Sequence, residues 1–331
     1  MVLTSAGGQA GDTVPPDPRR PRRRLAGVVA AVVIAAVALG VGALLNLRND
    51  RPQPAPTITT SPSASVATVD QLSWAPPVLR SPVEIKVSET NRDLRLSPTV
   101  DYRIVMPKRP VTLDGGLVIT GGYNVVLIGG EIRVPDASKQ PDAKRRRGLY
   151  LRGQLGTIHV EGLKIGGSDL AEGIDLSESD GATVQLQNIS VGTVHGTRDT
   201  NHADILQTWA GPANLRIDGL SGTTTYQGFF LLPTQFQPAQ PASFDLRRVV
   251  LTATPEAGYL LWTEKPFDWL STQDVVLVDP WAASLRRIVR PLAAWDTRGV
   301  RLVEEGSTVV LPAGVPGVGY QSPGYRTQGN P

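Results

Sequence analysis

The sequence predicts an all-β solenoid in which each repeat is one coil of short strands, carried behind a single N-terminal transmembrane helix. Three observations lead there. Short β-branched strands recur at a coil-length period between residues 111 and 279, no helical stretch interrupts them, and an apolar run of 23 residues, Leu25 to Leu47, stands near the N-terminus. Composition agrees, since 34 glycines and 28 prolines against 5% aromatic residues is the usage of many short strands and turns.

Taken in order, residues 1–24 read as a disordered basic arm. Arg19, Arg20, Arg22, Arg23 and Arg24 stand there against Asp12 and Asp17, while the remaining 307 residues balance 28 basic against 28 acidic side chains. The basic character therefore belongs to the arm, and no nucleic-acid partner is expected.

Residues 25–47 are all Leu, Ala, Val, Ile or Gly except Asn46. At ~1.5 Å per helical residue they reach roughly 35 Å, enough to cross a hydrocarbon layer of about 30 Å. Five arginines precede the run and only Arg48 and Arg51 follow closely, which places the N-terminus in the cytoplasm and the C-terminal domain outside. No small-x-small cleavage site follows directly; Ser65-Val66-Ala67 lies too far on, so an uncleaved single-pass anchor in the bilayer is expected.

Residues 48–71 are a stalk rich in Pro, Ser and Thr, a composition that favours extended polyproline II over a packed core. The folded domain is expected over 72–311. Within it, 72–110 reads as a lead-in segment and cap with short strands at Leu94–Leu96, Tyr102–Met106 and Val111–Leu113. Residues 281–311 read as a C-terminal cap with Arg286, Arg287 and Arg290 on a helical turn, and the Gly, Pro and Gln of 312–331 as a disordered tail.

Between the caps, one set of strands begins at Val126, Ile158, Val184, Leu215 and Phe244, at spacings of 32, 26, 31 and 29. A second set reads Gly148–Leu151, Gly173–Leu176, Ile205–Thr208, Gly228–Leu231 and Gly258–Leu261. Both keep the alternation of strands with one buried face. A repeat of strands alone, too long for hairpin meanders, is a solenoid coil. Cys is absent, so core burial and hydrogen bonding must hold it without disulfides.

The run Asn124 to Val134, together with Gly173-Ile174-Asp175-Leu176 and His202-Ala203-Asp204-Ile205-Leu206-Gln207, resembles the right-handed parallel β-helix of the pectin-lyase-like superfamily. The likeness covers roughly residues 80 to 310. Many members of that superfamily are polysaccharide lyases, hydrolases or epimerases, and others are surface binding proteins or tailspikes. Neither the paired-Asp, Gly-His-Gly and Arg-x-Lys set of polygalacturonases nor a pectate-lyase set of calcium carboxylates with an Arg stands in this sequence. The resemblance thus implies the fold and leaves the catalytic residues unassigned.

The densest chemistry lies in Asn201 to Trp209. Equivalent positions in stacked parallel coils are about 4.8 Å apart, so outward side chains form rows. The alignment puts Tyr150, Asp175, Gln207, Phe230 and Leu260 in one row, with Glu172, His202 and Asp204 at the preceding corners. Asp175, His202, Asp204 and Gln207 are the catalytic candidates. Carboxylates one coil apart suit a retaining glycosidase and two coils apart an inverting one, and His202 suits a general base. Glu172, Trp209, Trp262 and Arg147 are the substrate-binding candidates, the indoles for stacking on sugars and the Lys144–Arg147 run for clamping an anionic polymer or lipid headgroups. The competing reading makes Asp204 and Glu172 turn caps, His202 a backbone partner and the basic run a solvated loop.

His159 and His195 are read as structural. Three histidines and no cysteine argue against a transition-metal centre, and Asp175, Asp204 and Glu172 lack an EF-hand-like spacing for calcium, so neither metal nor cofactor is expected. The function expected is binding of a cell-surface or environmental polysaccharide, with cleavage by a lyase or hydrolase left open. The alternative is a catalytically inert cell-envelope scaffold or protein-interaction module.

Overall fold

The computed structural model describes residues 70–112, 115–304 and 311–328. The basic arm, the apolar run 25–47 and the stalk up to residue 69 lie outside the described residues. Among the described residues no helix is long and apolar enough to cross a membrane.

The domain is a parallel β-solenoid. Apart from one isolated antiparallel bridge between Ser88 and Asn91, the described strand pairs are parallel. A 13-stranded sheet supplies two faces of each coil and an eight-stranded sheet the third. The first face takes Thr157–Glu161 and the leading halves of Thr183–Val194, Asn214–Thr224 and Ser243–Ala253; the trailing halves of the last three turn onto the second. The third face carries Arg147–Arg152, Glu172–Ser177, Asp204–Ala210, Gln227–Leu231 and Tyr259–Thr263.

The corner between the first and second faces is set by single residues in the left-handed region: Gly129, Gly162, Asn188, Gly219, Arg248 and Asp274. One such residue bends the strand and restarts its alternation, so that in the third of these coils Leu186 and Ile189 both point into the core on either side of Asn188. Inside, like stacks on like: Leu149, Ile174, Leu206, Phe229 and Leu261 pair in register and are all fully buried. An apolar ladder of this kind makes every coil bury the core surface of its neighbours, and it resists a register slip, which would turn the core row outward.

Four expectations need correction. The solenoid begins earlier than residue 111, because Val83–Lys86, Asp93–Leu96, Tyr102–Val105 and Val111–Thr112 already pair as coil strands. Ile158 pairs with Val125 instead of Val126, a slip of one that the unbroken apolar run Val125–Ile128 hides. In the last of the five coils Phe230 pairs with Trp262 instead of Leu260, a slip of two that leaves the alternation intact and so escapes detection by pattern. Finally, residues 311–328 do not trail away. Tyr325–Thr327 pairs with Leu72–Trp74, and the segment lies across the first face through Tyr320 and Tyr325, which donate to Glu161. Its composition offers little to a core, but positive-φ glycines at 314, 317, 319 and 324 let the backbone follow a polar surface. The arginine-bearing turn is observed, as the single helical turn Leu285–Ile288, with Arg290 in the strand that follows.

The corner glycine Gly162 does two jobs, since it has φ +65 and an added Cβ would stand 2.0 Å from the Tyr320 ring. Gly162→Ala should cost about 1–3 kcal/mol, lowering the melting temperature by roughly 2–4 °C per kcal/mol. Gly166→Ala, with nothing within 4 Å of the added Cβ, is the control and should melt close to the wild type. Equal melting temperatures for the two variants would refute the close seating of Tyr320 on this corner.

Candidate functional site on the third face

On the third face each core residue is followed by one that points out. Tyr150, Asp175, Gln207, Phe230 and Trp262 are therefore aligned in consecutive coils. A second outer ladder lies beside it. The residues that precede the core row turn inward as well: an added Cβ on Gly148 would strike Ile165, one on Gly173 would approach Val191, and Ile205 and Leu260 are fully buried. Two inward residues in succession reverse the alternation. They bring Arg147, Glu172, Asp204, Gln227 and Tyr259 to the outer side, where Arg147 is in register with Glu172 and Asp204 with Gln227.

Arg147 is the centre of this site. Its Nε lies 2.5 Å from Glu172 Oε2 and 2.9 Å from Asp175 Oδ2. Its guanidinium sits 5.5 Å from the Trp209 ring centre and 5.7 Å from that of Tyr150, and the two rings are 5.6 Å apart at 60°. The Nε–H is donated to Glu172, so Asp175 is held by charge and both its oxygens lack a geometrically sound donor among the described residues. Asp204 is fully buried, and neither of its oxygens has a hydrogen-bond partner there.

These environments set the protonation states. Burial pushes the Asp175 carboxyl well above the usual carboxylate range; the neighbouring Glu172 charge adds to this, and Arg147 opposes it. A protonated Asp175 can donate to Glu172, which turns a contact between two acids into a hydrogen bond. Asp204 is likewise pushed well up, by burial first and by Glu172 second, with Arg147 again opposing. Burial works against the charge on Arg147, but Asp175 and Glu172 outweigh it and hold the guanidinium protonated.

The other candidates fall in different places. Gln207 lies half-buried between Asp175 and Phe230 in the row. Trp262 stacks on Phe230, centroids 4.4 Å apart at 16°, and so joins the same surface. His202 packs its ring on Tyr226 at 5.6 Å, and no hydrogen bond or ion pair described for this domain joins it to the carboxylates. The run Lys144–Arg147 is not a continuous clamp: Lys144 and Arg145 are exposed, Arg146 is buried and donates to Asp169 O at 2.5 Å, and only Arg147 enters the site.

Among the described residues no group of three His, Asp or Glu side chains is arranged to hold a metal ion. The Arg147 Nε stands within 2.9 Å of both Glu172 and Asp175. Neither a family model, nor a curated protein, nor a solved structure matches this chain. Sequence alone does not distinguish the aromatic partners Tyr150, Phe230 and Tyr259, although the first two stand in the expected row. Their signal was alternation, which core rows share. Arg290 closes the surface at the far end, its guanidinium 5.0 Å from the Tyr259 ring centre.

Asp204 gives a test of the electrostatics. A carboxyl whose folded pKa is raised keeps a proton that the unfolded chain releases near pH 4, so stability falls as pH rises above about 4 and levels off beyond the folded pKa. Asp204→Asn removes this titration. Thermal melts of the two proteins should converge near pH 4 and separate in favour of the variant by up to about 1.4 kcal/mol per pH unit above it. A variant that is less stable at pH 7 than at pH 4, relative to wild type, would mean an ionised and well-paired Asp204.

Proposed function

We propose that the outer side of the third face binds a polysaccharide chain lying along the solenoid axis, on a domain held outside the cell by the anchor 25–47 and the stalk 48–71. The observation that carries this reading is the pair of aromatic clusters, Tyr150 with Trp209 and Phe230 with Trp262: Tyr150, Phe230 and Trp262 stand on one outward row, with Asp175 and the amide of Gln207 between Tyr150 and Phe230, and Trp209 follows two residues after Gln207 on the same strand. The aromatic side chains and Gln207 are half-buried, with part of each surface open to solvent. From Tyr150 to Trp262 the row spans four coil steps, about 19 Å at ~4.8 Å per step, which accommodates several sugar rings. Partly exposed aromatic faces with hydrogen-bonding groups beside them suit the apolar faces and hydroxyl edges of sugars.

Binding is favoured over cleavage by burial. Asp175 and Asp204 are fully covered, whereas Arg147, Gln207 and the rings reach the surface. In this reading the carboxylates act as positioning residues that fix Arg147 between Tyr150 and Trp209. Three faces per coil with a left-handed corner between the first two also support a place beside the right-handed β-helices of the pectin-lyase-like superfamily.

The test is retention and turnover of a panel of neutral and anionic glycans by the full-length protein. Wild type should retain at least one of them, and Trp209→Ala and Trp262→Ala should each weaken that binding about tenfold or more while leaving the fold intact. Absence of retention across the panel, or binding indifferent to both indoles, would favour the inert-scaffold alternative.

A further inference from the structure

The outer side of the first face holds a second polar cluster, and it is covered. His159, Glu161, Gln185, Gln187 and Asp218 point outward on consecutive coils, yet all are fully buried beneath the segment 311–328 and the strand Leu72–Trp74. His159 places Nδ1 2.7 Å from Gln185 Oε1 and Nε2 3.0 Å from Glu161 Oε2. Glu161 accepts from Tyr320 Oη at 2.8 Å on one oxygen and from Tyr325 Oη at 2.6 Å on the other. The backbone of the covering segment is seated too: Gly317 donates to Gly162 O and accepts from Gly130 N.

A segment whose sole task was to hold the coils together would be expected to bury apolar surface, because a buried polar network rarely stabilises more than well-packed apolar groups of the same volume. Here the seam around Glu161 is polar on both sides. Opening it exposes groups that water can satisfy, so it separates more readily than an apolar seam. The donor pattern is specific as well. Two hydroxyls, one to each oxygen of a single carboxylate, is the arrangement a vicinal diol makes. The side-chain Nε2 of Gln185 is buried beside them with no partner among the described residues.

We propose that Glu161, His159 and Gln185 form a binding site for a vicinal diol of a neutral sugar, kept closed by the chain's own C-terminal segment, whose Tyr320 and Tyr325 hydroxyls occupy the diol positions. Glu161 receives the two hydroxyls, His159 orients it, and Gln185 offers a free amide donor. The covering segment competes with ligand, so apparent affinity scales with the fraction of molecules in which it is open. This site is independent of the third face.

The experiment uses the full-length chain carrying Trp209→Ala and Trp262→Ala, so that the third face is silenced, with its three histidines labelled for ring NMR. Into it go Tyr320→Phe and Tyr325→Phe, and hydrogen exchange over 311–328 reports opening. Cellohexaose, xylohexaose and maltohexaose, each with a 2,3-diol on every ring, are the probes. Opening should be accompanied by a shift of the His159 ring signals at probe concentrations about tenfold or more below those needed with both tyrosines present, and Glu161→Gln should abolish the shift. If the double tyrosine variant does not fold, Gly162→Ala, which displaces the Tyr320 ring, takes its place in the same measurement. An open segment with a His159 signal that no probe moves overturns the proposal. So does a segment that stays protected in both variants, since the seam is then a fixed part of the fold.

Discussion

Everything in this domain depends on parallel stacking at one coil per step. Because each side chain meets its equivalents about 4.8 Å above and below, a residue type is repeated, alternated or paid for along a whole ladder. Inward ladders become columns such as Leu149–Ile174–Leu206–Phe229–Leu261, where like apolar groups pack without penalty. Outward ladders face a harder condition, since carboxylates in adjacent coils repel. On the third face the chain meets it by placing Arg147 in register with Glu172 and beside Asp175, and by burying Asp175 and Asp204 where the protonated form is favoured. On the first face Arg248 pairs with Asp218 and Arg247 with Asp245.

The coil period was legible because it follows from a demand the sequence cannot hide, namely an apolar residue at every second strand position, helped by Gly or Asn at four of the six corners although Arg248 and Asp274 fill the others. Register was less so. Val125–Ile128 is apolar throughout, and so gave no phase. The slip that exchanged Leu260 for Trp262 preserved the alternation and could be fixed only by which strand hydrogen-bonds to which. Arg147 was visible as the end of a basic run, but its separation from Lys144 and Arg145 depends on the short turn Ala143–Arg146, capped by Asp142, whose geometry is tertiary. The order of residues 311–328 was illegible for the opposite reason: the segment brings little apolar surface, and its hold comes from hydrogen bonds to groups more than a hundred residues away. His159 was read as structural, and only the covering segment reveals what surrounds it.

Two buried carboxylates on different faces of one solenoid show what decides the behaviour of such a group. Burial alone would raise the pKa of both Glu161 and Asp204. Glu161 nevertheless ends below its ordinary value, because His159, Tyr325 and Tyr320 all direct hydrogens at it. Asp204 ends well above, because nothing does, and Glu172 repels its charge. Burial raises both, most at Asp204, and the donors that reach Glu161 alone reverse its sign. A ligand rich in hydroxyls is a supply of donors. On the first face this chain already provides that supply from its own C-terminal segment; on the third, burial favours the protonated forms of Asp175 and Asp204 beneath a partly open surface of aromatic rings. A solenoid that repeats its coils so regularly thus presents the same functional group in two opposite conditions, satisfied from within on one side and unsatisfied on the other. That asymmetry distinguishes the two faces more sharply than their shape does.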